Sequence, residues 1–198
     1  MTTTFFLLRH AAHDDLGCYL AGRSPSIHLG PAGRAQALRL GERMRREHFD
    51  AIVSSPRERT RETAQAVSLA SEISPVTVHD GLDEIDFGSW SGKTFKELDK
   101  DPEWRRWNDD RAVAVTPTGE SMERVQERIC CCMVELSRKF AGGAIVLVSH
   151  AEVIKSAICH VLDLPADRCF RFDIDPASIS IVTMWDHGAK VLRLNESV

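Results

Sequence analysis

Two short apolar runs in this chain each end in a histidine. Phe5-Phe6-Leu7-Leu8 passes straight into Arg9-His10, and Ala144-Ile145-Val146-Leu147-Val148 passes into Ser149-His150. Neither run alternates apolar with polar residues. Each therefore reads as a strand covered on both faces, the habit of a parallel sheet between helical layers. Ala51-Ile52-Val53 is a third such run and ends in Ser54-Ser55-Pro56, with Arg57, Glu58 and Arg59 just behind. Val76 to Val78 reads as a weaker strand. Ser178 to Trp185 and Lys190 to Leu194 read as strands joined across the turn Asp186-His187-Gly188.

Helical spacing fills the intervals. Pro31 opens one helix, where its missing N–H costs nothing, and Ala35, Leu38, Leu40 and Met44 give it an apolar side. Glu58 to Leu69 reads as a second helix. From Ser121 the residues Met122, Val125, Ile129, Met133, Leu136 and Phe140 mark a third, ended by Gly142-Gly143. A fourth runs from about Glu152 to Leu162, before Pro165. Strands alternating with helices argue for an α/β fold. Residues 80–120 differ: they hold Trp90, Trp104 and Trp107 with Gly88, Gly92 and Pro102 and little periodicity, so they read as a functional excursion over the body.

Size and charge narrow the function classes. At 198 residues the chain can bury one core, or one core with an inserted cap, and 1–198 is read as one domain. Lys and Arg number 25 against 29 Asp and Glu, a formal charge of −4, so the basic surplus of a nucleic-acid binder is missing. A 43% apolar share excludes wholesale disorder. No apolar run nears the roughly 18 residues of a membrane span. The opening residues lack the basic region of a signal peptide. Six cysteines contain no C-x-x-C pair, and Cys130-Cys131-Cys132 is a poor disulfide layout. They read as reduced thiols of a cytoplasmic protein, mostly small core residues.

In an open α/β sheet, ligands bind beyond the carboxyl ends of the strands. Here those ends direct His10, His150, Arg9 and Arg59 toward one edge. Guanidinium forks match phosphate oxygens, and a pair of them can balance a phosphate dianion without metal. They also hold the charge that develops on the oxygens during transfer. A neutral imidazole in such a pocket can attack phosphorus. The leaving alkoxide needs a proton, and Glu84, set among apolar neighbours in Leu82-Asp83-Glu84-Ile85-Asp86-Phe87-Gly88, is the best donor. As a carboxylate it could then activate water against the phosphohistidine.

These segments resemble the histidine phosphatase superfamily, the phosphoglycerate mutase-like family, along nearly the whole chain. Leu8-Arg9-His10 resembles its signature strand end. Gly22-Arg23 and Leu29-Gly30-Pro31-Ala32-Gly33-Arg34-Ala35-Gln36-Ala37 resemble its "GR…L-T-x-x-G-x-x-Q-A" segment. Ser54-Ser55-Pro56-Arg57-Glu58-Arg59-Thr60-Arg61-Glu62-Thr63-Ala64 follows "S-S-P-x-x-R-A-x-Q-T-A". Leu82 to Gly92 follows "L-x-E-x-x-F-G-x-W-x-G", Thr118-Gly119-Glu120-Ser121 resembles "G-G-E-S", and Val148-Ser149-His150-Ala151 resembles "V-S-H-G". The resemblance implies a three-layer α/β/α sandwich, with a mainly parallel central sheet and an antiparallel edge strand. It implies that His10 is phosphorylated, that Arg9 and Arg59 clamp the phosphoryl group with a hydrogen bond from His150, and that Glu84 donates the proton. Arg23 would lie near the mouth and touch the phosphate or the substrate body. No metal or other cofactor is implied. The chain departs from the pattern at Ala11, Ala12 and Ala151. It also has Leu16 where an asparagine often supplies a phosphate contact, while His13 either compensates or lies exposed.

The expected activity is hydrolysis of a small phosphorylated metabolite, with no nucleic-acid or membrane partner; a homodimer is compatible with the sequence. Phosphatase is preferred to phosphoglycerate mutase, because only Lys93 to Pro117 separate the acid loop from the "G-G-E-S"-like segment. An inactive phosphate-ligand sensor or scaffold is the alternative of another class. Gly88 to Thr94 imitates a phosphate-binding P-loop but has three residues between its glycines where four are needed. His10 and His13 could start a metal site but lack a clear third ligand. Trp104 and Trp107 read as anchors of a short cap helix or as part of a lid. Arg43, Arg45, Arg46 and His48 read as a solvated helix face, and Cys130 to Cys132 as packing toward the sheet.

Overall fold

The computed structural model describes residues 1–198. Strands β1 (Thr3–Arg9), β2 (Ala51–Ser54), β3 (Val76–Val78), β4 (Ala144–Ser149), β5 (Ile179–Trp185) and β6 (Gly188–Glu196) form one sheet in the order β3-β2-β4-β1-β5-β6. The pairs β1–β4, β2–β4 and β2–β3 are parallel. Strand β5 runs antiparallel to both β1 and β6. The antiparallel strand thus lies one place in from the edge, and β6 forms the edge. The second strand of this hairpin begins at Gly188, ahead of the expected Lys190, because Trp185 pairs with Gly188 across a two-residue turn.

Helices α1 (Pro31–Met44), α2 (Glu58–Ser71), α3 (Phe95–Leu98), α4 (Pro102–Asp109), α5 (Met122–Lys139) and α6 (Ala151–Val161) cover the sheet. Their starts follow local chemistry. Pro31 and Pro102 occupy first turns, and Asp101 accepts the Glu103 N–H. Ser121 accepts the Arg124 N–H at 3.3 Å, which caps α5. Successive side chains of β1 go to opposite faces. Phe6 and Leu8 pack with Leu40 and Met44 of α1 and Val67 of α2. Phe5 and Leu7 pack with Ile129 and Met133 of α5 and Ile154 and Ile158 of α6. Burial of each such side chain stabilises the fold by about 1.5–3 kcal/mol.

The excursion of residues 80–120 contains α3, α4 and short 3-10 turns at Asp80–Leu82 and Gly88–Trp90. It is bolted to the α5 face by tryptophans: Trp90 and Trp107 are fully buried and Trp104 nearly so. Trp90 meets Trp104 edge to face at 5.3 Å, and its indole N–H donates to Asp101 at 3.0 Å. The residues that imitate a P-loop make the second 3-10 turn and then run into Thr94, whose side chain forms a capping box with Glu97. Neighbouring residues of a helix point about 100° apart, so Cys130 to Cys132 do not share one face: Cys132 is buried, Cys130 half-buried and Cys131 exposed. Arg43 is likewise not simply solvated; it pairs with Glu47 at 2.7 Å and Glu196 at 2.8 Å, tying α1 to the end of β6. No helix is long and apolar enough to cross a membrane.

Candidate active site

Strand register builds the site. Parallel pairing sets Arg9 beside Ser149, and the His10 N–H donates to the Ser149 carbonyl at 3.0 Å. The residues just past the two strand ends, His10 and His150, therefore meet with ring centres 5.2 Å apart. The loop after His10 is then held by residues of the matched motifs. The Ala11 N–H donates to Thr63 Oγ1 at 3.0 Å, and the Ala12 N–H donates to Gln36 Oε1 at 2.9 Å. Helix α1 approaches so closely that a Cβ on Gly33 would stand 1.7 Å from the Ala12 carbonyl oxygen, which only glycine permits.

His10 is 4% exposed. Its Nδ1–H donates to the Ala11 carbonyl at 2.8 Å, which leaves the Nε2 lone pair facing the Arg59 guanidinium, whose Nε lies 3.3 Å away. Burial first, then the charges of Arg59 and Arg9, push the His10 pKa well below the ordinary imidazole value. The ring is neutral at pH 7.

Arg59 enters from the first turn of α2 and is almost wholly buried. Its Nη2 donates to the Gly22 carbonyl at 2.9 Å and to His150 Nδ1 at 3.1 Å, and its Nη1 is buried without a partner. Arg9 donates to the Ile174 carbonyl at 2.6 Å and also keeps a buried nitrogen, Nε, unpartnered. Burial lowers both arginine pKa values from the ordinary guanidinium value, yet a guanidinium keeps its charge at neutral pH. His150 is fully buried behind Arg59. Since Nδ1 accepts from Arg59, Nε2 carries the proton and donates to Ser55 Oγ at 2.8 Å, and Ser55 Oγ lies 3.4 Å from Asp83.

Glu84 Oε2 lies 3.7 Å from Arg59 and 3.4 Å from His150 Nδ1. Burial pushes its pKa up to about 7, against the opposing pull of Arg59. Its loop is braced by arginines other than Arg9 and Arg59. Arg57 grips Asp83 with paired hydrogen bonds of 2.7 Å each. The Glu84 backbone carbonyl accepts from Arg23 at 2.8 Å and from Arg128 at 3.1 Å. Glu120 receives Arg23 and Arg128 on its side chain, at 2.9 Å and 2.8 Å. Arg23, which the resemblance implies lies near the mouth, is committed to this brace.

Arg9, His10, Arg59 and Glu84 share a cavity of about 320 Å³. Its far wall is made by Tyr19, Phe95 and Trp104 together with a buried ion pair between Arg111 and Glu152. Arg111 also donates to Asn108 at 3.0 Å and lies 4.4 Å over the Phe170 ring. Leu16 sits exposed at the rim, and His13 is buried in the wall. Sequence reasoning missed Arg57, Asp83, Arg111, Glu120, Arg128 and Glu152. The adjacency of Asp83 to Glu84 and of Arg57 to Arg59 hinted at the first two and the "G-G-E-S"-like segment at Glu120, while Arg111, Arg128 and Glu152 depend on tertiary approach.

The family model described as histidine phosphatase superfamily (branch 1) matches residues 5–197. Phosphoserine phosphatase 1 of Hydrogenobacter thermophilus is 32% identical over 193 residues, covering 96% of this chain and 90% of that protein. The structure of phosphoserine phosphatase from Entamoeba histolytica in complex with 3-phosphoglyceric acid is 27% identical, with a TM-score of 0.86 and 98% of each chain covered. Bacillus stearothermophilus YhfR has a TM-score of 0.92 at 24% identity, covering 99% of this chain and 98% of that one, and shares the fold.

Proposed function

The chain belongs to the histidine phosphatase superfamily, branch 1, and from that premise we propose that it hydrolyses a small phosphorylated metabolite without a metal ion, through a phosphohistidine at His10. The observation that carries the reading is the state of His10. Its Nδ1–H is tied to the Ala11 carbonyl, its Nε2 is unprotonated with the lone pair turned to the Arg59 Nε–H at 3.3 Å, and burial with the charges of Arg59 and Arg9 holds the ring neutral. Such a ring is a nucleophile, not a cation.

The steps follow. Arg9 and Arg59 hold the phosphoryl oxygens with the N–H groups that are unpartnered in the resting site. His10 Nε2 attacks phosphorus as the P–O bond to the leaving group breaks, and Glu84 gives its proton to the departing alkoxide. Glu84, now a carboxylate, takes a proton from water. That water attacks the phosphohistidine, the N–P bond breaks, and phosphate leaves. His150 holds Arg59 in place, and Arg23 positions the acid loop. The cavity favours a compact substrate of the size of phosphoserine or 3-phosphoglyceric acid, the molecules named for the relatives above. Residues 80–120 act as a cap on one domain of 1–198, shaping the wall that meets the leaving group. Six unpaired thiols fit a reducing, cytoplasmic setting.

The test is an acid quench of the protein turning over a radiolabelled phosphomonoester in EDTA, followed by mapping of the label. Label on the peptide bearing His10, lost in His10→Ala, is expected. Turnover at the wild-type rate in His10→Ala ends the reading, and phosphate binding with neither label nor turnover makes the chain a sensor.

A further inference from the structure

His13 is the third imidazole of the pocket, and nothing in the mechanism above uses it. It is 6% exposed and lines the cavity that holds Arg9, His10 and Arg59. Its ring lies nearly parallel to that of His10, with centres 6.2 Å apart and planes inclined by 28°. The Tyr19 ring, which lines the same cavity, has its centre 6.3 Å from that of His13. Its Nδ1 is buried without a hydrogen-bond partner.

A buried polar nitrogen without a partner costs about 1–3 kcal/mol, so its retention calls for a compensating contact. A histidine serving only as packing would be better replaced by an apolar ring. Tyr19 does not supply the contact; the two rings only tilt against each other. Burial first, then the charges of Arg59 and Arg9, push the His13 pKa below the ordinary imidazole value and keep the ring neutral, against the pull of the surface carboxylates of Asp15 and Asp14. A neutral imidazole between arginines cannot add charge to an anion site, but it can add one N–H.

We propose that His13 is a phosphoryl-binding residue, its imidazole N–H donating to an oxygen of the group held by Arg9 and Arg59. This rests on the reading of the cavity as a phosphoryl site. It adds to the two guanidiniums a donor from a residue that lines the same cavity. Leu16, exposed at that rim, offers no polar atom there. A hydrogen bond to a charged group predicts roughly 10- to 100-fold weaker phosphate binding when the donor is removed.

The experiment compares His13→Phe, which keeps a ring and loses the N–H, with His13→Gln, which keeps an N–H. Binding of inorganic phosphate is titrated by calorimetry, and melting temperatures are recorded alongside. Weaker binding in His13→Phe with recovery in His13→Gln supports the proposal. Binding within about twofold of wild type in His13→Phe overturns it, as does equal weakening in both variants, which marks a packing role. Should the variants not fold, nitrogen NMR of wild-type His13 replaces them, and ring shifts unmoved by saturating phosphate overturn the proposal. Wild type that binds no phosphate at all refutes the reading of the cavity instead.

Discussion

Arg59→Met separates what the buried guanidinium does for the transition state from what it does for the fold. The substitution keeps the length of the stem. It removes the N–H directed at His10 Nε2 at 3.3 Å and those directed at the Gly22 carbonyl and His150 Nδ1 at 2.9 and 3.1 Å. A donor aimed at developing charge supplies about 3–4 kcal/mol, so kcat/KM should fall roughly 10²- to 10³-fold. Stability should change less. The Gly22 carbonyl left unpaired costs about 1–3 kcal/mol, but the desolvation of a buried cation is relieved at the same time. A second signature is independent of rate. Arg59 is the largest charge holding both imidazoles below 6.5. Without it the His10 pKa rises, and since the neutral ring is the reactive form, the acid limb of the rate profile moves to higher pH. Comparing the two proteins on one substrate cancels the ionisation of the substrate itself. A kcat/KM within about tenfold of wild type, a loss of ~1.4 kcal/mol, with an unmoved acid limb, refutes the clamp.

Glu84→Gln should slow an alkyl phosphate at least ~10²-fold more than p-nitrophenyl phosphate, because a nitrophenolate leaves without a proton; equal slowing of the two removes Glu84 as the acid. On the wild-type protein, kcat/KM for the alkyl ester should decline above about pH 7, where Glu84 ionises, while the nitrophenyl ester lacks that limb; superimposable profiles contradict the assignment. Gly33→Ala places a Cβ against the Ala12 carbonyl, so α1 must shift from the loop after His10; a melting temperature lowered by several degrees is expected, at about 2–4 °C per kcal/mol for a chain of this size, and an unchanged one contradicts the close approach.

The strands were legible because their period and termini carry the information locally. A continuous apolar run of four or five residues, too short for a helix and bounded by polar residues, reads as a strand buried on both faces, and a histidine directly after it falls at the carboxyl edge. Two such strands side by side in parallel place two histidines together without further help, which is why His10, His150, Arg9 and Arg59 could be read in advance. Arg23 was only partly legible. The resemblance implies a place near the mouth, but its commitment to Glu120 and the Glu84 carbonyl depends on a contact with a residue 97 positions away. Arg111 and Glu152 were hidden for the same reason: an ion pair between the excursion and α6 leaves no periodic trace. His13 had two open readings, and burial settled against exposure.

On the proposed mechanism, those long-range arginines explain how one carboxyl group can be both buried and a proton donor. An ionised Glu84, 3.7 Å from Arg59, would neutralise half of the clamp that must receive a dianion. The chain therefore needs Glu84 close to the reacting group yet uncharged before catalysis. Arg23 and Arg128 meet this need by binding its backbone carbonyl and sending their charge to Glu120, while Arg57 spends its own on Asp83. The acid is thus fixed in position by strong charged donors that do not touch its side chain. Burial is then free to hold the proton, with a pKa of about 7. An incoming phosphate dianion raises that value further by repelling the carboxylate form. Only when the bond to the leaving group breaks, and negative charge moves onto the alkoxide beside Glu84, does giving up the proton become favourable, so the timing of the transfer is set by the electrostatics of the substrate.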